Sequence, residues 1–148
     1  LTTTEEICMI AKEIYDKGGL QPEFLAVSMW LNVLVNKYHG NEHLIFDGTP
    51  RKYHEAGTLD SIFSFYGLDK PYAINIEISK EESMKRLLVR KRIDDVEDEI
   101  KKRLEWYETD VVLAINFYRN NPKYHYLEIN GEKLPEEIHQ DIISRLDL

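Results

Sequence analysis

Cys8 is the only cysteine in 148 residues. No disulfide can close within the chain, and a reducing compartment, the cytoplasm, is the expectation. No run of 18 apolar residues occurs, so no membrane span is expected. No basic segment followed by an apolar one opens the chain, so no secretory leader is expected. Basic residues are outnumbered, 19 against 27 acidic ones, for a net charge of -8. That balance repels nucleic acid and anionic membrane, so neither is an expected partner. A small phosphate ligand stays open, because it needs only a local basic cluster. The five histidines show no metal spacing. His39 and His43 are four apart, but the intervening Gly40-Asn41 disfavours a helix that would align them. Gly-x-Ser-x-Gly is absent, no Cys/His pair offers a nucleophile, and no Gly-x-x-x-x-Gly-Lys-Ser/Thr loop occurs. There is no internal repeat and no Pro/Gly-rich linker.

Hydrophobic residues make up 43% and charged residues 31%, enough for one globular domain with a core. Helical and strand patterns alternate. Ile7, Ile10, Ala11 and Ile14 fall on one face of a helix over 4–17, which Thr4 can cap and Gly18-Gly19 stops. Pro22 opens a second helix that runs to Lys37. His43-Leu44-Ile45-Phe46 predicts a buried strand running into Asp47-Gly48-Thr49-Pro50. A helix follows over 52–66, then a strand over 72–78. Ser79 and Glu82 predict a capping box for a helix ending at Arg90. Asp94-Asp95 would cap a long helix reaching about Tyr118. A third strand covers 124–129, Asn130-Gly131 turns, and Pro135 opens the last helix. Strands separated by helices give an α/β fold: a parallel sheet with helices on both faces, three strands wide. Ligands of such sheets bind at the carboxyl ends of the strands.

Two constellations could carry chemistry there. In Asp47-Gly48-Thr49-Pro50-Arg51, Gly48 lets backbone approach a ligand, Pro50 stiffens the turn, and the Arg51 guanidinium matches phosphate geometry. Asp47 sits where a carboxylate of a magnesium shell would stand. The same five residues also read as a capping turn with a solvent-facing arginine. The second constellation is Arg86, Arg90, Arg92 and Arg103. Arg86 and Arg90 share a helical face, and such a group suits a transferring phosphoryl. Taken alone it reads sooner as a solvated stripe paired with Glu97, Asp98 and Glu99, because charge runs are usually surface. Gly19-Leu20-Gln21-Pro22 is either a helix–helix turn or a wrap around a base and ribose.

In this order the pieces resemble the adenylate kinase family of nucleoside monophosphate kinases, from about residue 12 to the C-terminus. The segment from Lys12 to Leu25 is similar to its monophosphate-binding helix pair. Ile45-Phe46-Asp47-Gly48-Thr49-Pro50-Arg51 is similar to its Asp-Gly-aromatic-Pro-Arg signature. Arg86 to Arg90, Arg92 to Asp95 and Ile100 to Leu104 are similar to the lid and its flanks. Ile129-Asn130-Gly131 and the final helix are similar to the family's C-terminal end.

The resemblance implies a P-loop kinase fold in one domain: monophosphate-binding helices over 1–42, core over 43–86, a short lid over 87–95, and core over 96–148. It implies transfer of a phosphoryl group from ATP to AMP, giving two ADP, with Mg2+ and by a monomer. Arg51 would grip the acceptor phosphate. Gly48, Thr49, Leu20 and Gln21 would line its base and ribose, with Glu55 beside them. Arg90, Arg92 and Arg103 would clamp the phosphates, Arg86 and Lys133 would bind the ATP base, and Asp47 would hold Mg2+ through water.

The sequence departs from the family at four points. Only Lys91 separates Arg90 from Arg92, so the lid is very short and has no cysteines for zinc. Thr49 replaces the usual aromatic. Glu55 replaces the usual glutamine, and an ionised carboxylate only accepts hydrogen bonds, which suits a base with two adjacent donors such as guanine. Finally, the chain opens just after the family's first strand, Gly-rich loop, helix and second strand, roughly 30 to 40 residues late. A longer natural protein, and no kinase activity from these residues alone, are the expectations. A kinase for GMP, UMP or CMP and a non-catalytic nucleotide-binding module are the alternatives.

Overall fold

The structure, a computed structural model, describes residues 4–16, 21–90, 92 and 95–146. The chain forms two compact units, Leu1–Asp47 and Gly48–Leu148.

The first unit is a pair of helices, α1 (Thr4–Asp16) and α2 (Glu23–Lys37). The Gln21 side chain donates Nε2–H to the Ala11 carbonyl at 2.8 Å. This bond ties the entry of α2 to α1. Leu34 is buried, and Trp30 meets Phe46 edge-on with ring centroids 6.4 Å apart. The expected helices are present, but the expected strand at His43–Phe46 is not: this stretch is irregular and Ile45 is 91% exposed. An apolar run becomes a strand only beside a neighbour that takes up its N–H and C=O groups. No such neighbour is present among the described residues.

The second unit runs α3 (Tyr53–Tyr66), β1 (Tyr72–Glu77), α4 (Lys80–Arg90), α5 (Glu97–Trp106), a π-helical segment (Tyr107–Val111), α6 (Val112–Arg119), β2 (His125–Asn130) and α7 (Pro135–Arg145). β1 and β2 pair in parallel, with Tyr72 opposite His125 and Ile76 opposite Ile129. A parallel pair needs a long crossover, and α4 through α6 supply it. The sheet has two strands among the described residues, against three expected, because the 43–46 segment does not join it.

The core gathers Ala56, Leu59 and Phe63 from α3, Ala114 from α6, Tyr124 and Ile129, while Ile100 of α5 is fully buried. Asp60 of α3 takes hydrogen bonds from Lys123 Nζ (2.9 Å) and Tyr124 Oη (2.7 Å). These bonds pin α3 to the turn before β2. α3 stops at Gly67, whose φ of 67° closes the helix in the left-handed region.

Two expected caps are built differently from the sequence reading. Ser79 Oγ accepts the Glu82 N–H at 3.3 Å, but the Ser79 N–H goes to Glu132 at 3.1 Å and the Glu82 carboxylate goes to Arg86. The long helix starts at Glu97, with Val96 at its N-cap and no side-chain cap bond. Asp95 is engaged elsewhere, and Asp94 lies outside the described residues. The long helix is not uniform either. Val112 N–H reaches back five residues to the Tyr107 carbonyl, so one residue more than an α-turn is wound into 107–111. α5, before this wide turn, packs on α4; α6, after it, packs on α3.

Candidate functional site

The loop entering α3 is shaped by three local features. Gly48 has φ 69° and the Thr49-Pro50 peptide is cis. Arg51 turns back so that its Nε donates to the Gly48 carbonyl at 2.6 Å. The Glu55 carboxylate is the third feature. Glu55 is only 5% exposed, and its Oε2 accepts the backbone N–H groups of Arg51 (2.7 Å) and Lys52 (3.3 Å). The Lys52 N–H, at the N-cap of α3, is among those that a helix N-terminus leaves without intrahelical partners, and the Arg51 N–H lies one residue ahead of it.

The second cluster joins the end of α4 to α5. The side chain of Asp95 has no exposed surface. Its oxygens accept from Arg90 Nε at 2.9 Å, Arg90 Nη2 at 2.8 Å, Arg103 Nη2 at 3.1 Å and the Arg92 backbone N–H at 2.9 Å. The Arg90 bonds, helped by the Arg92 amide and Arg103, hold the Asp95 carboxyl well below the usual carboxylate range against the opposing cost of desolvation. One carboxylate therefore aligns two guanidinium groups, and the Arg92 side chain stands exposed beside them. Sequence reasoning saw Asp95 only as a helix cap. An acid flanked by Arg90, Arg92 and Arg103 is the signal that could have found its role.

The third cluster lies one helical turn back along α4, about 6 Å down its axis. Arg86 donates from Nη1 to the Gly131 carbonyl at 2.9 Å and from Nε to Glu82 at 2.7 Å. That second bond draws the Glu82 carboxyl below its ordinary value. Beside Arg86 opens a cleft of about 790 Å³ with Ile76, Ile78, Leu134 and Ile138 as apolar walls and Lys133 at its rim. Lys133 has Asp141 at 3.7 Å, a loose partner that leaves the ammonium free to turn. Apolar walls with a few placed charges are what a planar, charged ligand requires.

The expected residues thus fall into groups. Gly48, Thr49, Arg51 and Glu55 share the α3 entry; Arg90, Arg92 and Arg103 share Asp95; Arg86 and Lys133 share the cleft. Gln21 uses its Nε2 on α1 while its Oε1 is buried without a partner. Leu20 lies outside the described residues. Asp47 is exposed at the end of the first unit. Among the described residues no three His, Cys, Asp or Glu side chains gather as a metal site. A single exposed carboxylate fits the way Mg2+ binds, through retained waters and substrate phosphates rather than a protein cage.

A parallel strand pair with an arginine-rich crossover and a guanidinium-bearing Gly-Thr-Pro turn defines a nucleoside monophosphate kinase-like α/β protein. The family model described as adenylate kinase matches residues 2–123. The adenylate kinase of Bacteroides thetaiotaomicron is 32% identical over 146 residues, covering 96% of this chain and 76% of that protein. The adenylate kinase of Parabacteroides distasonis is 35% identical over 137 residues, covering 90% and 70%. Adenylate kinase 1 of a Nostoc species is 29% identical over 136 residues, covering 92% and 72%. The chain belongs to the adenylate kinase family.

Proposed function

We propose that these residues carry the acceptor site and the phosphate-clamping lid of an adenylate kinase that moves the terminal phosphoryl group of ATP to AMP and yields two ADP. The observation that carries this reading is the Arg90–Asp95–Arg103 cluster. Two guanidinium groups held by one buried carboxylate are preorganised for a phosphoryl group whose charge spreads over its oxygens. Arg51 holds the acceptor phosphate, and Gly48 and Thr49 let the ligand approach the turn; the roles of Leu20 and Gln21 toward base and ribose rest on the family resemblance alone. Arg86 and Lys133 take the ATP base in the apolar cleft. Asp47 is the residue that would hold Mg2+ through water, and the ion would supply charge neutralisation on the phosphates. Nothing in this chemistry needs a covalent intermediate: binding, orientation and exclusion of water carry it. The chain acts as a monomer in the cytoplasm.

No Gly-x-x-x-x-Gly-Lys-Ser/Thr loop occurs in the 148 residues, so donor phosphates lack their usual cradle here. Binding and turnover accordingly separate. Calorimetric titration of the 148-residue chain should show AMP binding tighter than GMP, UMP or CMP, while a coupled ADP assay stays near background. Arg51→Ala should weaken AMP by about 10- to 100-fold, the range of a charge-assisted hydrogen bond. Robust ADP formation by this chain would overturn the separation, and unchanged AMP affinity in Arg51→Ala would remove Arg51 from the site. Thr49, in place of an aromatic, favours a second reading in which another monophosphate is the acceptor. Tighter binding of GMP, UMP or CMP than of AMP would establish that reading.

A further inference from the structure

We infer that Glu55 is a positioning residue for Arg51 and acts on the acceptor through the α3 entry loop, without choosing its base. The inference rests on the reading of Arg51 as the acceptor-phosphate group. Glu55 stands at the third position of α3, where a carboxylate can reach back to the residues that precede the helix. It does so at hydrogen-bond distance: Oε2 takes the Arg51 N–H at 2.7 Å and the Lys52 N–H at 3.3 Å. The residue is 5% exposed, so these donors are its interaction in place of solvent. Releasing the carboxylate to read a base would leave the Arg51 and Lys52 amides without their partner in a poorly hydrated place, which is costly.

The consequence for Arg51 is geometric. Its main chain is fixed at the N–H by Glu55, and its side chain is fixed at Nε by the Gly48 carbonyl at 2.6 Å. With both ends of the residue held, the guanidinium presents its remaining N–H groups in one orientation. The bond that does the holding is accepted by a carbonyl-type oxygen, which a glutamine also carries. The conservative replacement therefore preserves the function of the side chain, whereas loss of the oxygen abolishes it. Because Arg51 meets the phosphate, which all nucleoside monophosphates share, disturbance of Glu55 affects every acceptor alike.

The test uses the full 148-residue chain and three variants, Glu55→Ala, Glu55→Gln and Arg51→Ala, with the Arg51→Ala/Glu55→Ala pair. Binding of AMP, GMP, UMP and CMP is read by calorimetry, and exchange of the Arg51 and Lys52 amides is read by NMR. Glu55→Ala is expected to weaken all four ligands by about fivefold, the scale of one lost cap, and to speed exchange at both amides. Glu55→Gln should restore protection and affinity to within about threefold. In the Arg51→Ala background Glu55→Ala should add nothing, since the effect passes through Arg51.

A reversal of the AMP-to-GMP preference by tenfold or more in Glu55→Gln would overturn the inference and make Glu55 a base reader. Additive losses in the double variant would overturn it too. If Glu55→Ala does not fold, Glu55→Gln alone still decides between the two roles. Should Arg51→Ala leave AMP binding unchanged, the acceptor-phosphate reading fails. The amide exchange then still reports whether Glu55 holds the loop, so the two failures are told apart.

Discussion

Gly131→Ala should be among the most damaging single-methyl additions in this protein. The added Cβ would lie 2.7 Å from Cγ2 of Ile76, 2.7 Å from Cγ2 of Ile78 and 3.1 Å from the Glu77 carbonyl oxygen. Carbon atoms pack best at about 3.5–4.0 Å, so both methyls must retreat by most of an ångström. Neither can do so by a rotamer change alone, because each is fixed on a β-branched carbon. The Glu77 carbonyl cannot yield freely either, since it accepts the Gly131 N–H at 2.8 Å. Overpacking of this kind costs about 1–3 kcal/mol, and rigid neighbours on three sides argue for the upper half. The damage should extend to binding, because the Gly131 carbonyl anchors Arg86 at 2.9 Å. Urea denaturation followed by circular dichroism measures the first effect, and ATP titration measures the second. Gly57→Ala is the internal control: Gly57 lies within α3 and a Cβ there meets nothing within 4 Å. That variant should gain about 0.5–1 kcal/mol from helix propensity. If Gly131→Ala unfolds within about 0.3 kcal/mol of the parent, well below the expected overpacking cost, the steric argument is wrong.

Gly48→Ala places a side chain at φ 69° with its Cβ 3.0 Å from Arg51 Nη2. It should cost about 1–2 kcal/mol of stability and weaken AMP binding, and unaltered AMP affinity would show that the Arg51 pose is not held by Gly48. Asp95→Asn should lower the thermal midpoint at pH 7, since a neutral amide cannot balance Arg90 and Arg103. The Asp95 carboxyl titrates well below its ordinary value in the folded chain, so its contribution is complete above the unfolded value of about 4 and is lost as pH falls further. The gap between parent and variant should therefore close in acid, and a gap that widens there would refute the assignment. In the first unit, the His39 backbone N–H with its ring nitrogen and the Asn41 amide lowers the Glu42 carboxyl to about 2. A carbon-detected NMR titration should find Glu42 still ionised at pH 3, and a midpoint near the ordinary glutamate value would contradict the hydrogen bonding of this turn.

The helices were legible because their signals are local. Pro22, Pro135 and the apolar spacing of Ile7, Ile10, Ala11 and Ile14 each act within a few residues of themselves, and observed ends fall close to those expected. The strand expected at His43–Phe46 was misread because a four-residue apolar run records nothing about a partner in space. Asp95 was misread for a related reason. A carboxylate near a helix start reads as a cap; Glu55 is bonded as one, a local arrangement that the resemblance, which sets it beside the base, does not display. Asp95 sits where a cap is expected but spends its oxygens on Arg90, Arg103 and the Arg92 amide, a choice made by burial that no window of sequence displays. The Arg86–Gly131 bond joins residues 45 apart and was likewise invisible, although the pairing of Arg86 with the segment around Lys133 was expected from the family.

The wide turn at Tyr107–Val111 has a consequence for anyone altering this chain. One surplus residue rotates everything after it by about 100°, the angular step of an α-helix. The helix therefore carries two phases, one presenting Ile100 and Arg103, the other presenting Ala114 and Phe117. A single deletion within the turn would remove the surplus residue, leave an ordinary α-turn and keep α6 in phase with α3. A single deletion elsewhere along the helix would re-index α6 against α3 and swing its apolar stripe off the core. Alignments that place a gap anywhere else along 97–119 will compare residues that point in different directions.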